Sequence, residues 1–419
     1  MIFRKLILII LLSILCSDSA HSQVRGLDLL GDKKKIEFPF RYALDYILVD
    51  LEFNGALPLS FIMDTGAEHT ILFQKVYGDL IGLKYTQEIK IIGADLSTSV
   101  LAYISRGVDV RLNEDIEVQR DIVVLYEDFL DLNELTGSKI DGILGGSFFQ
   151  GLIVEINYKK NKIVLHHPNH YKPEYHKTFT PIDINVTQNK PYVKAKLELF
   201  SGASSEIKLL FDTGAGLTFL LHTNTNDKLK LPENVIKGNL GKGLGGMVEG
   251  YTGLIKSLSI DKYKFSNLIT SFQNNDSLIY KDIIQERNGL LGNIIISRFH
   301  VIIDYNKEKL YLKPIGDYDK DIEYDKSGLL VFAYGEKLNK YYVKEVIPGS
   351  PADIAGLKEG DLIVRLGFWP SSFLSLRRIV NKLSGKDGKR IKMKIKRDGK
   401  KISKEFILRD MYKAPKSEK

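Results

Sequence analysis

The same acidic turn occurs twice in this chain: residues Phe61–Ala67 read FIMDTGA, and residues Leu209–Ala215 read LLFDTGA. In each copy, Asp-Thr-Gly directly follows an apolar run that is typical of a buried strand. A buried carboxylate is costly unless it is paired or hydrogen-bonded. The placement of Asp64 and Asp212 therefore requires a structural or functional reason.

The two halves of the chain share further landmarks. A short apolar segment that ends in Gly follows each turn, as Ile143–Gly145 in the first half and Leu290–Gly292 in the second. The pairs Asn157–Tyr158 and Asp304–Tyr305 then occupy matching positions. These landmarks recur in one order at offsets of 147 or 148 residues. Such spacing indicates an internal repeat.

Each half is predicted to be a β-rich lobe, because short Val, Ile, Tyr and Phe runs are bounded by Gly, Asn and Asp. The first lobe is expected over residues 36–168 and the second over residues 176–315. His166–Pro173, with three histidines and two prolines, is interpreted as a linker. Metal binding by these histidines is the less favoured alternative, since no cysteine ligands or HExxH motif accompany them.

Two lobes related by a pseudo-twofold axis would bring Asp64 and Asp212 face to face. Two carboxylates at such a distance cannot both ionise cheaply, so they share a proton. One carboxylate can then act as a base and the other as an acid. This combination activates a water molecule and protonates a leaving nitrogen.

On these residues the chain resembles a pepsin-like or retropepsin-like aspartic peptidase with two lobes in one polypeptide, over roughly residues 36 to 315. The resemblance implies Asp64 and Asp212 as the catalytic pair, with no metal and no other cofactor. It implies that the two threonines of the turns grip each other across the lobes and that the two glycines donate backbone hydrogen bonds. These supporting residues are Thr65, Gly66, Thr213 and Gly214.

The residue after each Asp-Thr-Gly sequence affects the pH range in which activity is expected. Ala67 and Ala215 match the retroviral version, whereas pepsins usually carry Ser or Thr there. Without that hydroxyl the carboxyl pair is expected to be less acidic, which predicts activity from mildly acidic to near-neutral pH.

The resemblance also implies a flap, a hairpin that closes over the substrate and excludes water. The candidates are Gly93 and Ala94 in the first lobe and Gly245 and Gly246 in the second. The second stretch, residues 241–246, fits GxGxxG formally. No βαβ unit surrounds it, so a flap is favoured over dinucleotide binding.

A third unit is predicted over residues 326–410. The segment Pro348–Val364, PGSPADIAGLKEGDLIV, resembles a bacterial PDZ domain, a β-sandwich with two helices. The resemblance implies capture of a peptide or protein C-terminus by strand addition. The residues expected to hold the terminal carboxylate are Gly328, Leu329, Leu330 and Val331, with Leu330 where Gly is common.

The first 22 residues have the composition of a secretory signal: basic Arg4 and Lys5 precede the apolar stretch Leu6–Leu15. An exported protein is therefore expected, in the periplasm, at the cell surface or secreted. The single cysteine, Cys16, lies in this segment. A lipid anchor at Cys16 is the less favoured alternative, because the preceding residue should be small and is Leu15. No transmembrane span is expected in the mature chain.

The composition is that of a globular protein, with 44% hydrophobic and 27% charged residues among 419. The net charge of +8 arises near the end of the chain, where residues 381–419 hold 15 basic and five acidic residues. Ile391–Lys396 alternates strictly, which predicts a half-buried strand with a solvated lysine face. This interpretation is favoured over nucleic-acid binding.

The sequence thus predicts a mainly β protein with two pseudo-symmetric aspartic-protease β-barrel lobes followed by a PDZ domain. The expected activity is that of an aspartic endopeptidase acting on polypeptides, with the protein a monomer. The alternative is a non-catalytic peptide-binding adaptor built on the same folds. Serine and metallopeptidase alternatives are disfavoured, because the chain has neither a GxSxG nor an HExxH motif.

Overall fold

A computed structural model of the chain describes residues 33–56, 58–92, 99–113, 116–128, 130–172, 177–223, 225–243, 246–273 and 287–412. Within these ranges the protein is mainly β, which confirms the predicted fold class. The proposed signal at residues 1–22 lies outside them. None of the helices in the described ranges is long and apolar enough to cross a membrane.

An eight-stranded sheet forms most of the first half. Its strands are β2 (Arg41–Ala43), β3 (Tyr46–Phe53), β4 (Leu59–Asp64), β5 (Ile71–Leu72), β6 (Tyr85–Ile92), β7 (Ser99–Asn113), β8 (Ile116–Leu125) and β9 (Gly142–Gly145). They lie in the order β2-β3-β4-β9-β5-β8-β7-β6. Two short helices accompany them, α1 (Lys75–Leu80) and α2 (Leu132–Thr136).

A central sheet joins the two halves. It contains β1 (Lys35–Pro39), β10 (Ile153–Asn157), β11 (Lys162–His166), β12 (Thr180–Thr187), β20 (Phe299–Asp304) and β21 (Lys309–Pro314). The halves meet where β10 pairs antiparallel with β20. His166, placed in the linker by its sequence, is the last residue of β11 and pairs with Ile153.

The central sheet continues into the second half through β12. The remaining strands there are β13 (Lys190–Glu198), β14 (Ser204–Phe211), β15 (Phe219–His222), β16 (Val235–Gly243), β17 (Gly246–Ile260), β18 (Tyr263–Gln273) and β19 (Gly289–Leu291). They follow in the order β12-β13-β14-β19-β15-β18-β17-β16. Helix α3 (Asn293–Ile296) follows β19. Both halves and the central sheet share one continuous apolar core.

The internal repeat has a structural basis in two parallel strand pairs. The strand before each acidic turn pairs with the glycine-containing segment downstream, β4 with β9 and β14 with β19. A Cβ atom on Gly142 would collide with the Ile71 carbonyl oxygen, and one on Gly289 with that of Leu220. The repeated glycines are therefore required by close backbone packing.

The C-terminal unit has its own sheet and apolar core. Its strands, β22 (Leu329–Tyr334), β23 (Lys340–Val346), β24 (Leu362–Leu366), β26 (Arg390–Arg397) and β27 (Lys400–Ile407), lie in that order, and β25 (Trp369–Pro370) pairs with β24. The helices are α4 (Pro351–Ile354) and α5 (Leu376–Leu383). The alternating segment predicted as a strand forms part of β26, with its apolar residues buried and its lysines toward solvent.

Candidate active site

The two acidic turns meet at the boundary between the halves. Asp64 ends β4, and Asp212 directly follows β14. Their carboxyl groups lie close enough that each shifts the pKa of the other. A Cβ atom on Gly66 would stand 2.6 Å from Asp212 Cγ, and one on Gly214 would collide with the Asp64 carboxyl group. Each turn therefore needs Gly because the opposite carboxyl group fills the space beside it.

The threonines of the turns form a reciprocal set of hydrogen bonds. The backbone N–H of Thr65 donates to Thr213 Oγ1 at 3.1 Å, and the N–H of Thr213 donates to Thr65 Oγ1 at 3.0 Å. Each hydroxyl also donates to a backbone carbonyl across the boundary, Thr65 to Phe211 at 2.6 Å and Thr213 to Met63 at 2.8 Å. Both threonines are buried. These four bonds hold the turns in register.

The backbone around the two carboxylates is not symmetric. Asp64 Oδ1 accepts hydrogen bonds from the N–H groups of Gly66 at 2.7 Å and Ala67 at 3.0 Å. Asp212 Oδ1 accepts one such bond, from Gly214 at 2.8 Å. Because backbone N–H donors favour the ionised form of a carboxyl group, Asp64 is the better stabilised anion.

The acidities of the pair differ accordingly. Burial raises the pKa of Asp64, opposed by its backbone donors, by the neighbouring Asp212 carboxyl group and by the positive charge of Lys190. The pKa of Asp212 is raised well above its ordinary value, first by burial and then by the negative charge of Asp64. The surroundings therefore favour the charged form of Asp64 over that of Asp212.

Two residues near the pair were missed by the sequence reasoning. Tyr46 begins β3 and Lys190 begins β13, each directly after a two-residue hairpin turn. The Tyr46 ring lies against Gly216, and burial raises the pKa of Tyr46 to about 12. The signal that could have found them is their matching place in the repeat, at the start of the strand that pairs with the Asp-bearing strand.

The flap candidates are only partly described. Gly93, Ala94 and Gly245 lie outside the described residues, whereas Gly246 is the first residue of β17. The strands on either side of these positions form antiparallel hairpins, β6 with β7 and β16 with β17. Hairpins thus stand at equivalent places in the two halves. Their role as flaps stays a prediction.

The predicted carboxylate loop of the C-terminal unit makes internal hydrogen bonds. Gly328 has a left-handed φ of 78°, and its N–H donates to Asp325 Oδ2 at 2.6 Å. The N–H of Leu329 donates to Ser327 Oγ at 3.2 Å. Leu329, Leu330 and Val331 lie in β22, an edge strand of the described sheet. Peptide binding at this edge stays a prediction.

No group of three or more His, Cys, Asp or Glu side chains in the described ranges is placed to hold a metal ion. The linker histidine His166 instead contacts Glu155 of the central sheet through Nε2 at 2.7 Å. His300 contacts the same carboxylate at 2.7 Å. This cluster joins strands of the two halves.

Comparisons with known proteins give matches to two family models and to a solved structure. Residues 49–148 match the family model described as aspartyl protease, and residues 342–397 match the PDZ domain model. No curated protein matches the chain. The crystal structure of the aspartic proteinase from Irpex lacteus is similar, at 14% identity and a TM-score of 0.41, over 68% of this chain and 99% of that chain.

Residues 49–148 are therefore similar to aspartyl proteases, and residues 342–397 are similar to PDZ domains. This assignment confirms the resemblance drawn from the repeated DTGA turns and from the PGSPADIAGLKEGDLIV segment.

Proposed function

We propose that the protein is an aspartic endopeptidase in which Asp64 and Asp212 act on a water molecule held between them. The observation that carries this proposal is the buried carboxyl pair, in which Asp64 accepts two backbone hydrogen bonds and Asp212 accepts one. A base and an acid side by side are what amide hydrolysis by water requires. The family match of the first half supports the same class of reaction.

In the proposed reaction, Asp64 removes a proton from water as the water oxygen bonds to the peptide carbonyl carbon. Asp212 gives its proton to the carbonyl oxygen, which yields a neutral gem-diol. When the C–N bond breaks, the proton on Asp64 passes to the leaving nitrogen and a diol proton returns to Asp212. The products are a carboxylic acid and an amine, and the pair returns to its starting state without a covalent enzyme intermediate.

The PDZ domain is proposed to recruit polypeptides by their C-termini, at the edge of β22. Such recruitment would raise the local concentration of substrate near the cleft. We further propose that the chain is exported, since its first 22 residues have the composition of a secretory signal. We also propose that it is a monomer. Localisation of a tagged full-length chain in cell fractions tests export, and light scattering tests the monomer.

The activity is tested by incubating a diverse peptide mixture with the purified protein from pH 3.5 to 7.5. Asp64→Asn and Asp212→Asn are compared with wild type, with and without pepstatin. Asp183→Asn is the matched control, because Asp183 is an exposed carboxylate of β12 that pairs with Lys309. Wild type and the control should cleave, while both dyad variants should not.

The result that contradicts the proposal is a folded wild-type protein without cleavage over the whole pH range. Cleavage that survives either dyad substitution would contradict it equally. The first outcome, together with retained peptide binding, would favour the non-catalytic adaptor.

A further inference from the structure

The turn between β2 and β3 has an unusual backbone. Leu44 and Asp45 form a two-residue loop, and both have left-handed φ values, 41° and 68°. Turns of this kind favour Asn, Asp and Gly. A Leu side chain is disfavoured there, because its Cβ crowds the backbone in left-handed conformations. Strained residues of this kind persist where surrounding structure holds them, and they cluster at functional sites.

The second half contains a matching turn that serves as an internal comparison. Gln188 and Asn189 join β12 to β13 with φ values of 51° and 58°. Gln188 is exposed, as expected for the tip of a hairpin. Leu44, in contrast, is an apolar residue at the tip of its hairpin. An apolar tip residue requires a partner that removes it from water.

The PDZ domain supplies that partner. Leu44 packs against the apolar core of the PDZ domain. Arg377, the second residue of α5, places its guanidinium 5.7 Å from the centre of the Tyr42 ring. The charge of Arg377 also acts on Asp45, where it opposes the increase in pKa caused by burial. Thus one PDZ helix and the PDZ core hold both residues of the turn.

The opposite side of the turn is held by the second half of the chain. Asn293 is fully buried, and its Nδ2 donates to the Asp45 carbonyl oxygen at 2.7 Å. Tyr158 donates its hydroxyl to Asn293 Oδ1 at 2.5 Å. Tyr42 donates its hydroxyl to Asp45 Oδ1 at 3.3 Å. The turn therefore lies between the PDZ domain and the second half.

The residue after the turn is Tyr46, which lies beside the carboxyl pair. A Cβ atom on Gly216 would stand 2.7 Å from Tyr46 Cζ, so the Tyr46 ring packs directly on the backbone that follows the second acidic turn. The negative charge of the carboxyl pair acts on the Tyr46 hydroxyl. Tyr46 therefore links the Leu44–Asp45 turn to the cleft.

We propose that Leu44 and Arg377 are positioning residues for the active site, because the PDZ domain holds the Leu44–Asp45 turn and thereby places Tyr46 beside the carboxyl pair. This inference rests on the proposed endopeptidase function. It makes the PDZ domain a structural part of the active site, in addition to any role in recruiting peptides. Cleavage of any polypeptide bound at the cleft would depend on this positioning of Tyr46.

The test compares Arg377→Ala with Arg378→Ala in the full chain. Arg378 is the next residue of α5 and is also exposed, so it is a matched control. Since the cation–π contact is at an exposed site, kcat of Arg377→Ala should fall roughly twofold to fivefold with little change in KM. Arg377→Lys keeps the cation and should recover much of kcat, and Arg378→Ala should match wild type.

Leu44→Ala removes the apolar contact and should lower kcat by up to roughly tenfold, the range expected for a small misplacement of a group at the site. Hydrogen exchange of residues 42–50 should increase in both Leu44→Ala and Arg377→Ala. This second readout follows the turn itself and does not depend on turnover. Circular dichroism melting of each variant establishes that it is folded.

Wild-type kcat and wild-type exchange in both variants, in a protein that cleaves peptides, would overturn the inference while leaving the proposed function intact. A wild-type protein that neither cleaves peptides nor binds pepstatin would overturn the proposed function, and the positioning role would fall with it. Loss of kcat in Arg378→Ala equal to that in Arg377→Ala would also overturn the specific role of Arg377.

Discussion

The carboxyl group of Asp64 fills the space that a side chain on Gly214 would need. The two halves of the chain therefore approach each other so closely that glycine is the only residue that fits. Gly66 stands in the same relation to Asp212. The acidic turn is repeated as a unit for two reasons. Each glycine leaves space for the opposite carboxylate, and each threonine is hydrogen-bonded to the opposite turn.

Gly214→Ala is expected to abolish peptide cleavage, with a loss on the order of a hundredfold or more from displacement of Asp64. The measurement is kcat/KM on a peptide that wild type cleaves. Gly238→Ala is the control, since a Cβ there would meet only Glu345, at 3.7 Å. Cleavage by Gly214→Ala at the wild-type rate would show that the two turns can move apart without cost.

Thr65→Val should destabilise the fold more than Thr65→Ser. Valine has the shape of threonine but removes a buried hydroxyl that accepts from the Thr213 N–H and donates to the Phe211 carbonyl. Each buried group left without a partner costs about 1–3 kcal/mol. Urea unfolding measures the free energy of unfolding of both variants. Equal free energies of unfolding for Thr65→Val and Thr65→Ser would mean that the hydroxyl contributes nothing to the contact between the turns.

Lys190→Met should shift the acid limb of the pH–rate profile to higher pH. The positive charge of Lys190 lowers the pKa of Asp64, so its removal raises that pKa. Because Asp64 must be ionised to act as a base, activity would then be lost at a higher pH as the solution is acidified. Lys194→Met, an exposed position of the same strand, is the control. An unchanged acid limb would rule out this charge effect.

Glu155→Gln, in the central sheet, should lower the free energy of unfolding at neutral pH. Although burial acts to raise it, hydrogen bonds with His166 and His300 hold the pKa of Glu155 well below its ordinary value of 4.5. The stabilisation is therefore present above pH 4.5 and is lost as the pH falls below that value. Hydrogen bonds to a charged group contribute about 1.5–3 kcal/mol.

Urea unfolding at pH 7 and at pH 3.5 checks the prediction for Glu155. The free energy of unfolding of wild type should exceed that of Glu155→Gln by less at pH 3.5 than at pH 7. Glu206→Gln, at an exposed position of β14, controls for loss of one negative charge. If wild type and Glu155→Gln differ by the same free energy of unfolding at both pH values, the predicted pH dependence is wrong.

Binding of a C-terminal peptide at the PDZ domain should be tighter at pH 5 than at pH 7.5. Burial raises the pKa of Asp325 to about 6, and this carboxylate lies against the N–H groups of the loop predicted to hold the peptide carboxylate. Protonation of Asp325 at low pH removes the repulsion between two negative charges. Calorimetric titration with a free-acid peptide and its C-terminal amide measures the effect, which Asp325→Asn should abolish.

Several features of the site follow from local sequence. The DTGA turns end predicted strands, and the offset of 147 or 148 residues pairs Asp64 with Asp212. The β26 strand was predicted from strict alternation, since side chains of a strand point alternately to its two faces. Both kinds of pattern are local or periodic, so they can be read without knowing which distant segments meet.

Other features depend on segments that meet only in the folded chain. Tyr46 and Lys190 are ordinary residues at the starts of strands, and nothing in their neighbours marks them as close to the carboxyl pair. His166 lies in a segment whose prolines suggested a linker, yet its pairing with β10 places it in the central sheet. Strand pairing is decided by the whole sheet, so such placements are not encoded in local composition.

The sequence by itself determined that the protein has two repeated β-rich halves with one Asp-Thr-Gly turn each, followed by a PDZ domain, because repeat spacing and local motifs record these properties directly. Only the tertiary structure decided which carboxyl group is the better stabilised anion, because that depends on the unequal backbone donors around Asp64 and Asp212. Only the tertiary structure also showed that the PDZ domain holds the Leu44–Asp45 turn, since that contact joins residues more than 300 positions apart in the chain.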